Sequence, residues 1–188
     1  MSTAIHTRYT PEDLLTLPDG DRYELVDGEL VELNVSFLSS YVAGEIHRRL
    51  ANHSLDHRQA WVAPEGTSYQ CFPDSPNKVR KPDTSAIRLE RLSAVEALTA
   101  GHLTIPPDLA VEVTSPGDSV YEVDQKIQDY QQAGVPLVWE VNPELRTIII
   151  HRADGTLTRL SENDDITGES VLPGFRCRVG EFFRLPTT

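Results

Sequence analysis

Apolar and polar residues follow two rhythms along the chain. Strict alternation is typical of β-strands, and apolar residues every three to four positions are typical of amphipathic helices. Helices are predicted at 11–17, 39–55 and 119–133, and strands at 23–33, 60–71 (broken at 64–66), 82–88, 105–115, 136–142 and 146–152. Short strands follow from Thr156, with a small helix at 181–183. This order predicts an α/β (α+β) fold, a mixed sheet flanked by at least two helices.

Turn and capping residues mark where several of these elements begin and end. Thr10 before Pro11 predicts a helix start, because Thr is a good N-cap and Pro fits the first helical position. Asp27-Gly28 between β-rich flanks predicts an N-terminal β-hairpin, since both turn positions favour positive φ. Gly134 predicts the end of the helix at 119–133.

A strand–helix–strand unit is predicted in the middle of the chain. The strand at 108–114 leads into the helix at 119–133, which leads into the strand at 136–142. Such a unit makes the two strands parallel neighbours with a right-handed crossover.

Length and composition describe an ordinary globular protein. The chain has 188 residues, 39% hydrophobic and 24% charged, which predicts one domain over residues 1–188. No run of about eighteen apolar residues occurs, so no membrane span is expected. The N-terminus lacks the order of a secretory signal. Cys71 and Cys177 are isolated and lack zinc-binding spacing, which favours a reducing, cytoplasmic location.

The net charge limits how the chain could bind nucleic acid. A formal charge of −12 argues against binding through a global electrostatic field. A local basic patch could still serve, and the candidate is Lys78 with Arg80 and Lys81. Arg48 and Arg49 form a less favoured second candidate. Short clusters of this kind are more often solvated helix faces or polar loops, and that alternative stays open.

Two carboxylates lie on consecutive predicted strands. Glu112 shares one strand face with Ala110 and Thr114, in the middle of an apolar strand. Burying a bare carboxylate there is costly unless it is paired or holds a metal. Asp83 begins the preceding strand and converges on Glu112 if the strands are neighbours. Two carboxylates with carbonyl and water oxygens suit Mg²⁺ or Mn²⁺. The alternative is that Glu112 pairs with an Arg or Lys and that Asp83 caps a turn.

Lys126 lies at the edge of the buried face of the helix at 119–133. The apolar stripe of that helix consists of Val120, Val123, Ile127 and Tyr130. The loop before the helix leaves the end of the strand that carries Glu112, so Lys126 can reach back to the acidic pair. A lysine that lays its stem along the core edge is the alternative.

Several collinear segments carry a family resemblance. They are YELVDGELVE (23–32), KPDTSAIR (81–88), PDLAVEVTSPGDS (107–119), K…Y…AGVPLVWEVNPELRTIIIHR (126–152) and VLPGF (171–175). Each segment is weak alone, and together they span about 20–185. In combination they resemble the putative restriction endonuclease family of bacterial proteins, long filed as a domain of unknown function, within the PD-(D/E)XK nuclease superfamily.

The resemblance implies a fold, a site and an activity. The fold is a restriction-endonuclease-like core, a mixed four-stranded sheet flanked by helices. Asp83 and Glu112 are implied to bind Mg²⁺ or Mn²⁺, with Glu24 of the hairpin completing the metal shell. Thr114 stands where the superfamily has its lysine, and Lys126 is implied to take that role. The implied activity is hydrolysis of phosphodiester bonds in nucleic acid, DNA first, and a homodimer would suit double-strand cleavage.

Two other functions stay open at this point. A member that kept the fold and lost catalysis would be a DNA-binding or regulatory module, since fold does not fix function. In a structural or partner-binding protein, the same acids would form salt bridges. The positions of Asp83, Glu24 and Glu112 relative to Lys126 discriminate among these functions.

Overall fold

A computed structural model describes residues 8–186. The helices are α1 (Pro11–Thr16), α2 (Phe37–His57), α3 (Ala94–Thr99) and α4 (Val120–Gln132). The strands are β1 (Tyr23–Val26), β2 (Glu29–Glu32), β3 (Ala60–Pro64), β4 (Thr84–Arg88), β5 (Leu109–Val113), β6 (Leu137–Asn142), β7 (Thr147–Arg152), β8 (Leu157–Ser161), β9 (Asp165–Gly168) and β10 (Leu172–Arg178). Single 3₁₀ turns occupy Gly20–Arg22 and Val179–Glu181. The prediction that the N-terminus lacks a secretory signal falls partly on residues 1–7, which lie outside the described residues.

A six-stranded mixed sheet forms the centre of the molecule, in the order β3-β4-β5-β6-β7-β8. β5 and β6 are parallel, and α4 connects them. The other neighbouring strands are antiparallel. The predicted mixed sheet with its flanking helices, N-terminal hairpin and parallel pair is confirmed. The sheet is larger than the four-stranded core that the family resemblance implies.

The two faces of the sheet bury different helices. Leu109, Val111 and Val113 pack on the side of α2, together with the β9–β10 hairpin. Ala110 packs on the opposite side, against Tyr130 of α4. The predicted alternation along β5 is therefore present, and it turns Glu112 toward α4.

The N-terminal hairpin is fastened to the loop that precedes β4. Its turn has Asp27 at φ 53° and Gly28 at φ 83°, the positive values expected for Asp-Gly. Leu25 and Val79 exchange both backbone hydrogen bonds, at 3.0 and 2.9 Å. This bridge sets the neighbouring Glu24 beside the same loop.

Some element limits differ from those predicted. The predicted strand at 60–71 ends at Pro64, because Gly66 turns the chain at φ 91°. Tyr69 then pairs its backbone with Arg80. The closing helix is a 3₁₀ turn that begins two residues early, at Val179. No helix between residues 8 and 186 is both long and apolar enough to cross a bilayer.

The hairpin turn gives a first prediction. A Cβ at Gly28 would lie 3.2 Å from Arg8 Cβ on a backbone at φ +83°, so Gly28→Ala should lower the free energy of unfolding by about 1–2 kcal/mol. Gly44→Ala is the matched control. It adds a Cβ to open space inside α2 and should raise stability by about 0.5–1 kcal/mol.

Urea unfolding followed by circular dichroism measures both variants. Equal midpoints would show that the turn does not need glycine. The prediction of one domain over residues 1–188 further requires a single cooperative transition in each titration.

Candidate active site

Glu112 is a residue of β5, its side chain is directed toward α4, and it is 6% exposed. The Tyr130 hydroxyl donates to its Oε1 at 2.7 Å, and Lys126 Nζ donates to its Oε2 at 3.1 Å. Tyr130 and Lys126 are four residues apart on α4, so they project from the same helix face. The helix therefore holds each oxygen of this carboxylate through a different side chain.

Asp83 lies directly before β4 and next to Glu112. In the antiparallel pairing of β4 with β5, Thr84 is opposite Val111, and the next step of that register sets Asp83 opposite Glu112. The Val113 N–H donates to Asp83 Oδ2 at 2.6 Å. A backbone N–H at the end of β5 therefore orients the carboxylate of Asp83, which precedes β4.

Lys126 lies between two carboxylates. Its Nζ is 3.1 Å from Glu112 Oε2 and 3.7 Å from Glu24 Oε2. The ammonium group thus connects the central sheet to the N-terminal hairpin.

Glu24 is fully buried and held on its other side by the loop before β4. Lys81 N–H donates to its Oε1 at 2.8 Å, and Arg80 Nη1 donates to its Oε2 at 2.8 Å. Within residues 8–186, no group of three or more His, Cys, Asp or Glu side chains could hold a metal ion together. The structure therefore does not group Asp83, Glu112 and Glu24 as one metal shell, and Glu24 accepts instead from the Lys81 backbone N–H and the Arg80 guanidinium.

The three carboxylates differ in their electrostatics. Burial raises the pKa of Glu112, and the charge of Glu24 adds to this. Burial and the neighbouring Glu112 raise the pKa of Asp83 well above its usual range. Burial opposes ionisation of Glu24 as well, but Lys126 and Arg80 outweigh it and lower its pKa.

Lys126 stays protonated. Burial works to lower its pKa, and Glu112, Glu24 and Asp83 outweigh that effect and raise it. An ammonium group held in this way acts as a fixed positive charge and not as a proton acceptor.

Asp83 and Glu112 fit a divalent cation as a pair of donors. Their negative charges repel each other across neighbouring strands, and a dication relieves such repulsion. Each oxygen of Glu112 accepts one hydrogen bond from a side chain of α4, and Asp83 accepts one from the Val113 N–H. Because a carboxylate has about four lone-pair sites, both retain acceptor capacity for a hard cation that also keeps several waters.

The structure places most of the predicted basic patch inside the protein. Lys78 Nζ lies 2.5 Å from Asp129 Oδ1. Arg80 is 4% exposed and joins Asp129 to Glu24 at 2.7 and 2.8 Å. Lys81 is 5% exposed and donates to the Gly20 carbonyl at 2.6 Å. Each of these three cations is therefore paired with an oxygen of the protein, and Lys78 keeps the most exposure, with 13% of its side chain accessible.

The second basic candidate is on the other side of the sheet. Arg48 pairs with Glu45 on the exposed face of α2, at 2.7 Å, and Arg49 pairs with Glu181 at 2.6 Å. Neither lies on the face that carries Glu112.

Two residues that hold the charged groups of this site are not predicted from the sequence. Tyr130 belongs to the apolar stripe of α4, yet a buried tyrosine hydroxyl usually finds a partner, and its four-residue spacing from Lys126 is the signal for it. Asp129, 7% exposed, lies next to that stripe, and the apolar pattern gives no sign of its partners.

Two clefts open beside these residues. One, of about 290 Å³, is lined by Glu24, Lys126 and the first turns of α4. The other, of about 280 Å³, lies past the ends of β5 and β6 and is lined by Thr114 and Ser115. Asp118 lines both, so a ligand that spans them would pass over the start of α4.

Comparisons with known proteins agree with this fold. A family model described as Uma2, putative restriction endonuclease, matches residues 11–180. Among solved structures, the chain resembles a putative nuclease belonging to DUF820 from Anabaena variabilis, with a TM-score of 0.79. The two are 19% identical over 93% of this chain and 97% of that one, and such a likeness shows the fold alone. No curated protein matches the chain.

The buried charges give a second prediction. Arg80→Leu leaves Glu24 and Asp129 without their shared cation and should lower the free energy of unfolding by about 3–5 kcal/mol. Arg48→Leu breaks an exposed pair and should cost less than about 1 kcal/mol. Urea titrations compare the two. A cost at Arg80 no larger than at Arg48 would contradict a stabilising role for the buried pairs.

Proposed function

The chain belongs to the Uma2 family of putative restriction endonucleases, and we propose that it is a metal-dependent nuclease. The reaction is hydrolysis of a phosphodiester bond in nucleic acid, with DNA as the first substrate to test. One observation carries the proposal: Glu112, on the strand next to Asp83, is contacted by a lysine that stays charged.

Asp83 and Glu112 are the proposed metal ligands. Mg²⁺ or Mn²⁺ bound there would polarise a phosphoryl oxygen and lower the pKa of a bound water. The Val113 N–H holds Asp83, and the Tyr130 hydroxyl holds Glu112. Both carboxylates are therefore oriented before a cation arrives, which is how accurate metal sites are built.

Lys126 is the proposed source of positive charge for the reaction. Negative charge grows on the phosphoryl oxygens and the leaving oxygen as water adds to phosphorus and the P–O bond breaks. A fixed ammonium aimed at that charge stabilises the transition state without reorganising. Because its pKa is raised, Lys126 acts through charge and does not accept a proton from water.

Glu24 takes a different part from the one that the family resemblance implies. Its two oxygens accept from Lys81 and Arg80, and Lys126 lies close to one of them. We propose that Glu24 positions Lys126 and is not itself a metal ligand. Its lowered pKa also makes it a poor acceptor for a water proton.

A second candidate function is a nuclease-fold module without catalysis. The observation in its favour is that Lys126 already neutralises Glu112 as a buried salt bridge does. Such a protein would need no cation at Asp83. Metal binding therefore separates the two candidates before any activity is measured.

Metal binding is the third prediction. Calorimetric titration with Mn²⁺ should show one site in the wild type, and Asp83→Asn and Glu112→Gln should abolish it. Lys126→Met should retain binding, because it removes a competing cation and no ligand. Glu144→Gln, an acid of the neighbouring cleft, is the matched control and should bind normally. Equal Mn²⁺ binding by all five proteins would show that the metal binds at a different site.

Activity is the fourth prediction. Single-stranded circular DNA and supercoiled plasmid are assayed side by side with Mg²⁺ or Mn²⁺, and the wild type should cut at least one of them. Lys126→Met should cut that substrate about a hundredfold to a thousandfold more slowly, the usual effect of losing one preorganised charge-stabilising group. Arg48→Leu, on α2, should cut at the wild-type rate. Wild-type cleavage by Lys126→Met would exclude Lys126 from the reaction. Metal binding without cleavage of DNA or RNA would favour the non-catalytic module.

A further inference from the structure

The cleft beside Lys126 offers no free cation to a duplex. Among the described residues that line it, the basic ones are Arg80 and Lys126, and both are bound to carboxylates. Its acidic lining residues are Glu24, Glu32, Asp118 and Glu122. The neighbouring cleft is lined by four acids and by no Lys or Arg. Duplex binding depends on phosphate neutralisation, and this surface does not supply it.

The same cleft instead offers an aromatic ring to solvent. Tyr121 lines it from the first turn of α4 and is 69% exposed. Gln125 Nε2 donates to the tyrosine hydroxyl at 2.9 Å, which anchors the tip of the ring while its faces stay accessible. An exposed aromatic ring at the edge of a cleft offers a face on which a base can stack.

A further apolar side chain lies next to Tyr121 at the start of α4. Val120 is 79% exposed and lines the neighbouring cleft. Two adjacent side chains of α4 therefore present exposed apolar surface at these clefts, a feature that often marks a binding surface.

We propose that this cleft binds single-stranded nucleic acid and that Tyr121 stacks on one of its bases. The inference rests on the proposed nuclease function and names its substrate class. A single strand carries a lower charge density than a duplex and exposes base faces. The acidic lining of the cleft therefore repels a single strand less than a duplex, and an aromatic ring can stack on the exposed bases of a single strand.

Fluorescence anisotropy of intact protein tests the inference, with EDTA present so that the proposed hydrolysis does not occur. The probes are a labelled twelve-nucleotide oligothymidylate, an abasic strand of equal length and a twelve-base-pair duplex. The variants are Tyr121→Leu, which removes the ring, and Tyr121→Phe, which keeps it. Leu98→Ala, at an exposed apolar residue of α3, is the control.

The wild type should bind oligothymidylate more tightly than the duplex or the abasic strand. Tyr121→Leu should weaken oligothymidylate binding at least about fivefold and leave abasic binding unchanged, while Tyr121→Phe and Leu98→Ala match the wild type. Preference for the duplex, or unchanged binding by Tyr121→Leu, overturns the inference. A concentration-dependent dimer that Tyr121→Leu dissolves, without any effect on the strand, also overturns it and assigns the surface to a second copy.

The nuclease function and the stacking inference can fail separately. If the protein binds a strand through Tyr121 in EDTA but cleaves no nucleic acid in Mn²⁺, the stacking inference is supported and the nuclease function is contradicted. If it cleaves duplex plasmid in a metal-dependent way and Tyr121→Leu does not change that rate, the nuclease function is supported and the stacking inference is contradicted.

Discussion

A chain of alternating buried charges connects the parts of this protein. It runs from Asp129 on α4 to Arg80, then to Glu24 of the hairpin, back to Lys126 on α4 and on to Glu112 of β5. Arg80 has lost most of its water and is shared by two carboxylates, so removing it leaves Glu24 and Asp129 without that cation at a cost of several kcal/mol. The hairpin, the loop before β4 and the central sheet therefore keep one relative arrangement, and the candidate site inherits it.

This arrangement also explains why the cleft is acidic. Lys78, Arg80 and Lys81 supply three of the chain's 17 basic residues, and all three are turned inward to carboxylate or carbonyl oxygens. Their charge maintains the interior instead of attracting a polyanion. Because these cations hold the buried carboxylates, the surface beside Lys126 attracts phosphates only weakly. Contacts other than charge must therefore select the substrate.

The sequence predicted what depends on local or strand-level rules. The Asp27-Gly28 pair predicts the hairpin, and the alternation along β5 predicts that Glu112 faces the opposite side of the sheet from Leu109 and Val111. The inward position of Arg80 could not be predicted, because its partners Glu24 and Asp129 are 56 and 49 residues away. Three cations within four positions look the same in a solvated loop and in a buried network. Only the tertiary structure, which attaches the hairpin to that loop, distinguishes them.

The location of the lysine on α4 has a structural consequence of its own. Thr114, two residues after Glu112, donates its hydroxyl to the Val141 carbonyl at 3.3 Å, so this position is engaged at the junction of β5 and β6. A lysine on α4 contacts Glu112 from the helix side, and its Nζ lies 3.7 Å from Glu24 Oε2 as well. It thereby makes the hairpin part of the site. A shift of the hairpin would move Glu24, release Lys126 and weaken the hold on Glu112, so the geometry of this site depends on an element outside the central sheet.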